Sequence, residues 1–210
     1  MSRPDRSIDP RILESAKKEF LAHGFEKASL QAICEEAGVT TGALYKRYKG
    51  KEDLFCAVVA DTASALEDFV EKRSVVQACT LSDGMLIKAW EMNENMLEWF
   101  RFLYEYHDGF VLLISGAGGT RYANFQHDFV EVMTAKTYEY FLEARKRGLT
   151  HAEISMEEMH ILLSAFWTTI YEPFIHGYTW EQMEAHCTLI CGMFNWDRVL
   201  GFDTEKRDFY

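Results

Sequence analysis

The chain has 210 residues, 48% of them apolar, and a formal net charge of −11. That is enough apolar side chain for a packed core, which excludes a disordered chain, and no apolar run approaches the roughly 20 residues that a bilayer-spanning helix needs. The charge is uneven, because residues 1–51 hold 10 basic and 7 acidic side chains while residues 52–210 hold 12 and 26. A small basic head on an acidic body can meet phosphate at one surface and stay soluble. The opening MSRPDRSIDP lacks the apolar centre of a signal peptide, so a cytoplasmic location and no membrane partner are expected.

Helix signals run through the chain and strand signals are nearly absent; only Pro4, Pro10 and Pro173 interrupt it. Asp9-Pro10 reads as a cap and first helical residue, followed by Ile12, Leu13, Ala16 and Phe20 at helical spacing, with Gly24 as the stop. Ser29 caps a second helix carrying Leu30, Ile33, Cys34 and Ala37, which ends at Gly38. Thr40 caps a short third helix through Tyr48, Gly50 breaks it, and a longer helix runs from Lys51 to about Arg73. Further helices are expected over about 80–107, 109–119 and 120–147. Ser155-Met156-Glu157-Glu158 and Thr179-Trp180-Glu181-Gln182 match capping boxes that open two final helices, about 155–177 and 179–200.

Residues 29–54, SLQAICEEAGVTTGALYKRYKGKEDL, carry the most information. Two short helices meet at a tight turn over Gly38-Val39. Cys34 is small where the helices approach, Gly38 suits a positive φ, and Leu44 anchors the third helix. Thr41, Gly42 and Ala43 keep the start of that helix slim enough to approach a DNA groove, and Tyr45 and Lys46 follow on it.

Ile12 through Leu54 resembles the DNA-binding domain of the tetracycline-repressor (TetR) family. The resemblance rests on Ala16, Phe20, Gly24-Phe25, Ile33, Ala37-Gly38-Val39, Gly42, Leu44-Tyr45 and Lys51-Glu52-Asp53-Leu54. It implies an all-α chain: a three-helix helix-turn-helix domain over 1–50, then a helical ligand-sensing and dimerisation domain over 51–210. Thr40, Thr41 and Gly42 would open the recognition helix, Tyr45 and Lys46 would reach backbone and base edges, and Ser29 and Lys51 would bind phosphate. Tyr48 stands where the family often has phenylalanine and could add a phosphate contact or simply pack. Cys34 replaces a usual alanine and Arg47 a usual histidine or tyrosine, the latter leaving base preference open.

The acidic part is rich in aromatic residues and methionine. Most such stripes are core, but the resemblance implies a cavity between these helices, with Met92, Met96, Trp99, Phe125, Phe129, Trp167 and Tyr171 as its expected lining. Glu91, Glu94, Glu98 and Glu105 read as a solvated face, or as the source of one inward carboxylate for a cationic ligand. Partners implied are double-stranded operator DNA, an unidentified small-molecule effector, and a second copy held through the last two long helices. Small residues there (Ser164, Ala165, Thr168, Ala185, Gly192) would let helices pack closely.

No catalytic set, metal motif or cofactor loop stands out. Gly116-Ala117-Gly118-Gly119 follows no strand and is not a dinucleotide loop. The five cysteines include Cys187 and Cys191, one helical turn apart beside His186; they read as buried thiols, since a metal site would need further ligands. A repressor released from a palindromic operator by an apolar or aromatic effector is the expected function. The alternatives are an architectural DNA-binding dimer that responds to no ligand and an all-α enzyme.

Overall fold

The computed structural model describes residues 8–74, 76–91 and 94–202. Among these the architecture is helical, and the one extended pairing is an isolated bridge between Thr150 and Phe202. The helices are α1 (Ile8–Lys27), α2 (Leu30–Ala37), α3 (Thr41–Tyr45), α4 (Lys51–Ser74), α5 (Asp83–Lys88), α6 (Glu94–Glu105), α7 (His107–Val111), α8 (Phe125–Lys146), α9 (Met156–Ile175), α10 (Trp180–Met193) and α11 (Trp196–Val199). A 3-10 turn covers Ala78–Thr80, and α7 continues into a π-helical turn over Leu112–Gly116.

The caps read from sequence at Ser29, Thr40, Ser155 and Thr179 form as expected, whereas Asp9 lies inside the first turn of α1, which begins at Ile8. Ser29 Oγ accepts from Ala32 N at 3.3 Å and Thr40 Oγ1 from Ala43 N at 3.2 Å. Both capping boxes close, Ser155 with Glu158 and Thr179 with Gln182. The expected helix over 80–107 is interrupted. Ser82 starts α5 by accepting from Met85 N at 3.3 Å, and α5 ends at Lys88, well before α6 opens. The helix expected from Thr120 begins at Phe125, after turns. The last helix ends at Met193, and Asn195 opens α11 by accepting from Arg198 N at 3.0 Å.

The contacts divide the chain into two compact units. The first takes in the chain to Glu67 together with Tyr106–Gln126; the second holds Asp68–Glu105 and the chain from His127 onward. The chain therefore passes between units inside α4, after α6, and in the first turn of α8.

In the first unit, Phe20, Phe25 and Phe55 form the centre. Phe55 meets the other two edge-on, with centroids 5.1 Å and 5.6 Å away. Ile12, Ala16, Ile33, Leu44 and Leu54 are buried with them. Gly24 (φ 69) breaks the helical register of α1 and so lets Phe25 turn inward. The α7 and π-turn segment packs on α1 and α4. Asp108 pairs with Lys17 at 3.5 Å, and Arg121 N donates to Glu52 Oε1 at 2.9 Å. Gly109 lies hard against Thr62, where a Cβ would stand 1.9 Å from Oγ1.

In the second unit, α6 buries Met96, Trp99, Phe100 and Leu103 and exposes Glu98, Arg101 and Glu105, a helical alternation of faces. Arg147 ties the 3-10 segment to the end of α8. Its guanidinium donates to Glu143 at 2.8 Å, Asp83 at 3.0 Å, and the carbonyls of Leu81 and Cys79 at 2.7 Å and 3.0 Å.

Candidate nucleic-acid interface and effector site

Glu19 Oε1 accepts from Ser29 N at 2.9 Å, and Lys18 pairs with Glu36 at 2.9 Å, so α1 holds both ends of α2. Gly38 then turns the chain in the left-handed region (φ 63, ψ 40), while Val39 N donates back to Cys34 O at 2.9 Å. The buried Leu44 fixes the roll of α3. With that side inward, Thr40, Thr41, Gly42, Tyr45 and Lys46 are all exposed, Tyr45 at 54%. Nothing lies within 4 Å of the position a Cβ would take at Gly42, so the slim end of α3 is open. Exposed Lys46 and Lys49 supply positive charge beside it.

Three basic or phenolic residues of the motif are placed less simply. Lys51 Nζ donates to the carbonyls of Glu26 and Ala28 at 2.9 Å and 3.0 Å and lies 4.8 Å from the centre of the Phe25 ring. Its ammonium thus closes the α1–α2 connection. Arg47 turns back on its own helix, pairing with Asp9 and donating to Ala43 O at 3.2 Å. That leaves it folded away from the exposed end of α3, which sequence reading could not tell for a residue replacing histidine or tyrosine. Tyr48 is half-buried, and that burial, with Asp9 nearby, pushes its phenol above the usual value.

The expected effector residues assemble in part. Phe129 stacks on Trp167 with centroids 4.5 Å apart, Trp99 lies parallel to Phe129 within 10° at 6.5 Å, and Tyr171 meets Trp167 edge-on at 6.0 Å. Met96, Trp99, Phe129 and Trp167 are buried and Tyr171 half-buried. Phe69 and Phe102, absent from the expected set, extend the run by stacking on Trp99 at 4.1 Å and 5.3 Å. Their signal was present, since Phe102 lies one turn after Trp99. Phe125 belongs to the first unit and Met92 lies outside the described residues. Of the four glutamates, Glu98 and Glu105 are exposed and Glu91 is half-buried; the side chain of Glu94 lies outside the description.

On α9 and α10, Ile161, Ala165, Thr168, Ala185, Leu189, Gly192 and Met193 are exposed at helical spacing, with Ile161 and Leu189 at 67% and 70%. Ser164 is half-buried and donates to His160 O at 2.8 Å.

No described helix is long and apolar enough to cross a membrane. Residues 12–58 match the family profile described as bacterial regulatory proteins, tetR family. The transcriptional repressor AcnR of Corynebacterium diphtheriae is 32% identical over 66 residues, which are 31% of this chain and 35% of that protein. The match thus spans about a third of the relative's length. A TetR-like transcriptional regulator from Rhodococcus sp. RHA1 superposes with a TM-score of 0.61 at 16% identity, covering 94% of this chain and 98% of that one. NalD, the secondary repressor of the MexAB-OprM multidrug efflux pump in Pseudomonas aeruginosa, does so with a TM-score of 0.60 at 19% identity, covering 89% and 96%. Residues 12–58 are therefore a DNA-binding region of the tetR type of bacterial regulatory proteins, and the helical body that continues them has the fold of tetR-like regulators.

Proposed function

We propose that this protein is a cytoplasmic repressor that binds a near-palindromic operator as a twofold dimer and leaves it when a small apolar or aromatic effector enters the second unit. The observation that carries the DNA half is the exposed, slim N-terminal end of α3, bearing Thr41, Gly42, Tyr45 and Lys46 on a rigidly capped helix-turn-helix. Residues 1–50 serve as the reading head, with Ser29 and Lys51 placed near phosphate, and residues 51–210 sense and dimerise. The buried ring series of Trp99, Phe129 and Trp167 supports an aromatic or apolar effector. The exposed stripe on α9 and α10 supports pairing of two copies. Repressor names among the relatives favour release over activation, and the match of residues 12–58 to a profile of bacterial regulatory proteins supports a regulator over an enzyme.

The test is selection of bound sequences from a random duplex library, followed by affinity against salt. A twofold-symmetric consensus is expected, with log K falling against log salt at a slope of about −7 for some eight phosphate contacts per dimer. Lys46→Ala or Thr41→Ala should change the selected bases, whereas Arg47→Ala should leave them, since that side chain is turned onto Asp9 and Ala43. Lys51→Ala should weaken all sequences alike. A library that yields no preferred sequence sinks the operator reading.

A further inference from the structure

Cys187 and Cys191 stand on consecutive turns of α10. Cys187 is buried, Cys191 is half-buried, and both are free thiols. Cys191 adjoins Cys187 closely enough to bear on its titration. They are not on the exposed stripe of α10: at about 100° per residue, Leu189 lies about 160° around the helix from Cys187 and Gly192 about 140°. Neither the exposed end of α3 nor the stacked rings use this pair.

Geometry separates what the pair can do from what it resists. Side chains one helical turn apart hold their Cβ atoms about 5–6 Å apart. A disulfide needs about 3.8 Å. An S–S bond here would therefore have to unwind a turn of α10 that also carries the buried Ile190. A single atom placed between the sulfurs spans the gap with two longer bonds and leaves the helix intact.

We infer that Cys187 and Cys191 form a two-thiol site for a thiophilic centre that bonds two sulfurs at once, of the class of organic trivalent arsenicals. With an arylarsonous acid, two As–O bonds break and two As–S bonds form. Each thiol proton leaves with an oxygen as water, and arsenic stays trivalent, so no oxidant or reductant is needed. Burial, with Cys191 adjoining, pushes the Cys187 thiol up to about 12. Alkylation requires thiolate, so Cys187 in the folded chain is slow toward iodoacetamide. Arsenical exchange hands its protons to the departing water, so its equilibrium is level across neutral pH.

The full-length protein is titrated with phenylarsine oxide, then unfolded and alkylated, and the protected cysteines are read by peptide mass spectrometry. One arsenical per chain is expected, protecting Cys187 and Cys191 and leaving Cys34, Cys56 and Cys79 alkylated. Cys191→Ser should weaken binding about 100-fold, because the second As–S bond closes at a high effective concentration, while Cys79→Ser should leave it unchanged. Circular dichroism reports whether the helix content is kept; should Cys191→Ser lose it, Cys191→Ala gives the same comparison without a new hydroxyl. Protection spread over all five cysteines, or undiminished affinity in a folded position-191 variant, overturns the site.

Discussion

Gly109 shows how one missing methyl group holds a junction together. A glycine in a helix ordinarily costs up to about 1 kcal/mol against alanine, so Gly109→Ala on an open helix would stabilise. Here the added Cβ would stand 1.9 Å from Thr62 Oγ1 and 2.8 Å from Thr62 Cβ. Overpacking of this kind costs about 1–3 kcal/mol, so the sign reverses and Gly109→Ala should destabilise. Thr62→Ala removes the nearest atom and should recover part of the loss in a double-mutant cycle read by urea unfolding. Purely additive effects would show that the two residues do not meet. None of this was legible in the sequence, where Gly109 reads only as the start of an apolar stretch. The helix-turn-helix residues were legible because their chemistry is local: Ser29 and Thr40 cap, Gly38 turns, Leu44 anchors. The places of Arg47 and Lys51 were not, since their partners Asp9, Glu26 and Ala28 come from α1 and the turn after it.

At the scale of elements, the caps decide where helices begin. Ser155 and Thr179 each satisfy an N3 backbone donor and receive a side chain in return. Alanine at either should cost about 1 kcal/mol. The two caps serve different helices with different partners, so the double variant should lose about the sum. A shift in urea midpoint at unchanged slope measures this; a negligible loss at both would mean that packing of α9 and α10 sets their ends. The helix break near residue 90 was hidden by good helix formers around it, such as Met85, Leu86, Lys88, Ala89 and Glu91. Ser82-Asp83 was a legible cap signal, but it marks the start of α5 and not the break that follows Lys88. The π-helical turn over Leu112–Gly116 has no counterpart in a pattern of apolar residues at either regular spacing. What the pattern could not carry at all was the assignment of α7 to the unit that holds α1 through α3, because that depends on long-range pairs such as Lys17 with Asp108.

At the scale of the molecule, two couplings are proposed, one between copies and one between sites. Ile161 and Leu189 are the most exposed large apolar side chains on α9 and α10. Ile161→Glu with Leu189→Glu would place like charges at a self-complementary surface and should yield monomers by light scattering. Operator affinity should then fall at least about 100-fold, since each head binds its half-site alone. An unchanged dimer would place the interface elsewhere. The second coupling follows from where the chain passes between units: inside α4 at Glu67–Asp68, after α6, and at the start of α8. Phe69 of α4, Trp99 and Phe102 of α6, and Phe129 of α8 form one stacked run. An effector that parts these rings would therefore bear on all three passages of the chain into the first unit, which carries the reading head. It can shift the equilibrium only by its difference in affinity for the two states. A 100-fold loss of operator affinity requires about 2.7 kcal/mol, within the usual range for allostery. Linkage then sets the strict test, because saturating operator DNA must weaken effector binding by the same factor. Calorimetric titration of the effector with and without operator measures one side, and operator titration with and without effector the other. Trp99→Ala should reduce both factors equally if the ring run transmits the coupling, and a change in only one of them is forbidden by the thermodynamic cycle. A compound that binds tightly at these rings and leaves operator affinity untouched is not the effector. If every such compound behaves so, DNA binding is constitutive and the protein is an architectural dimer.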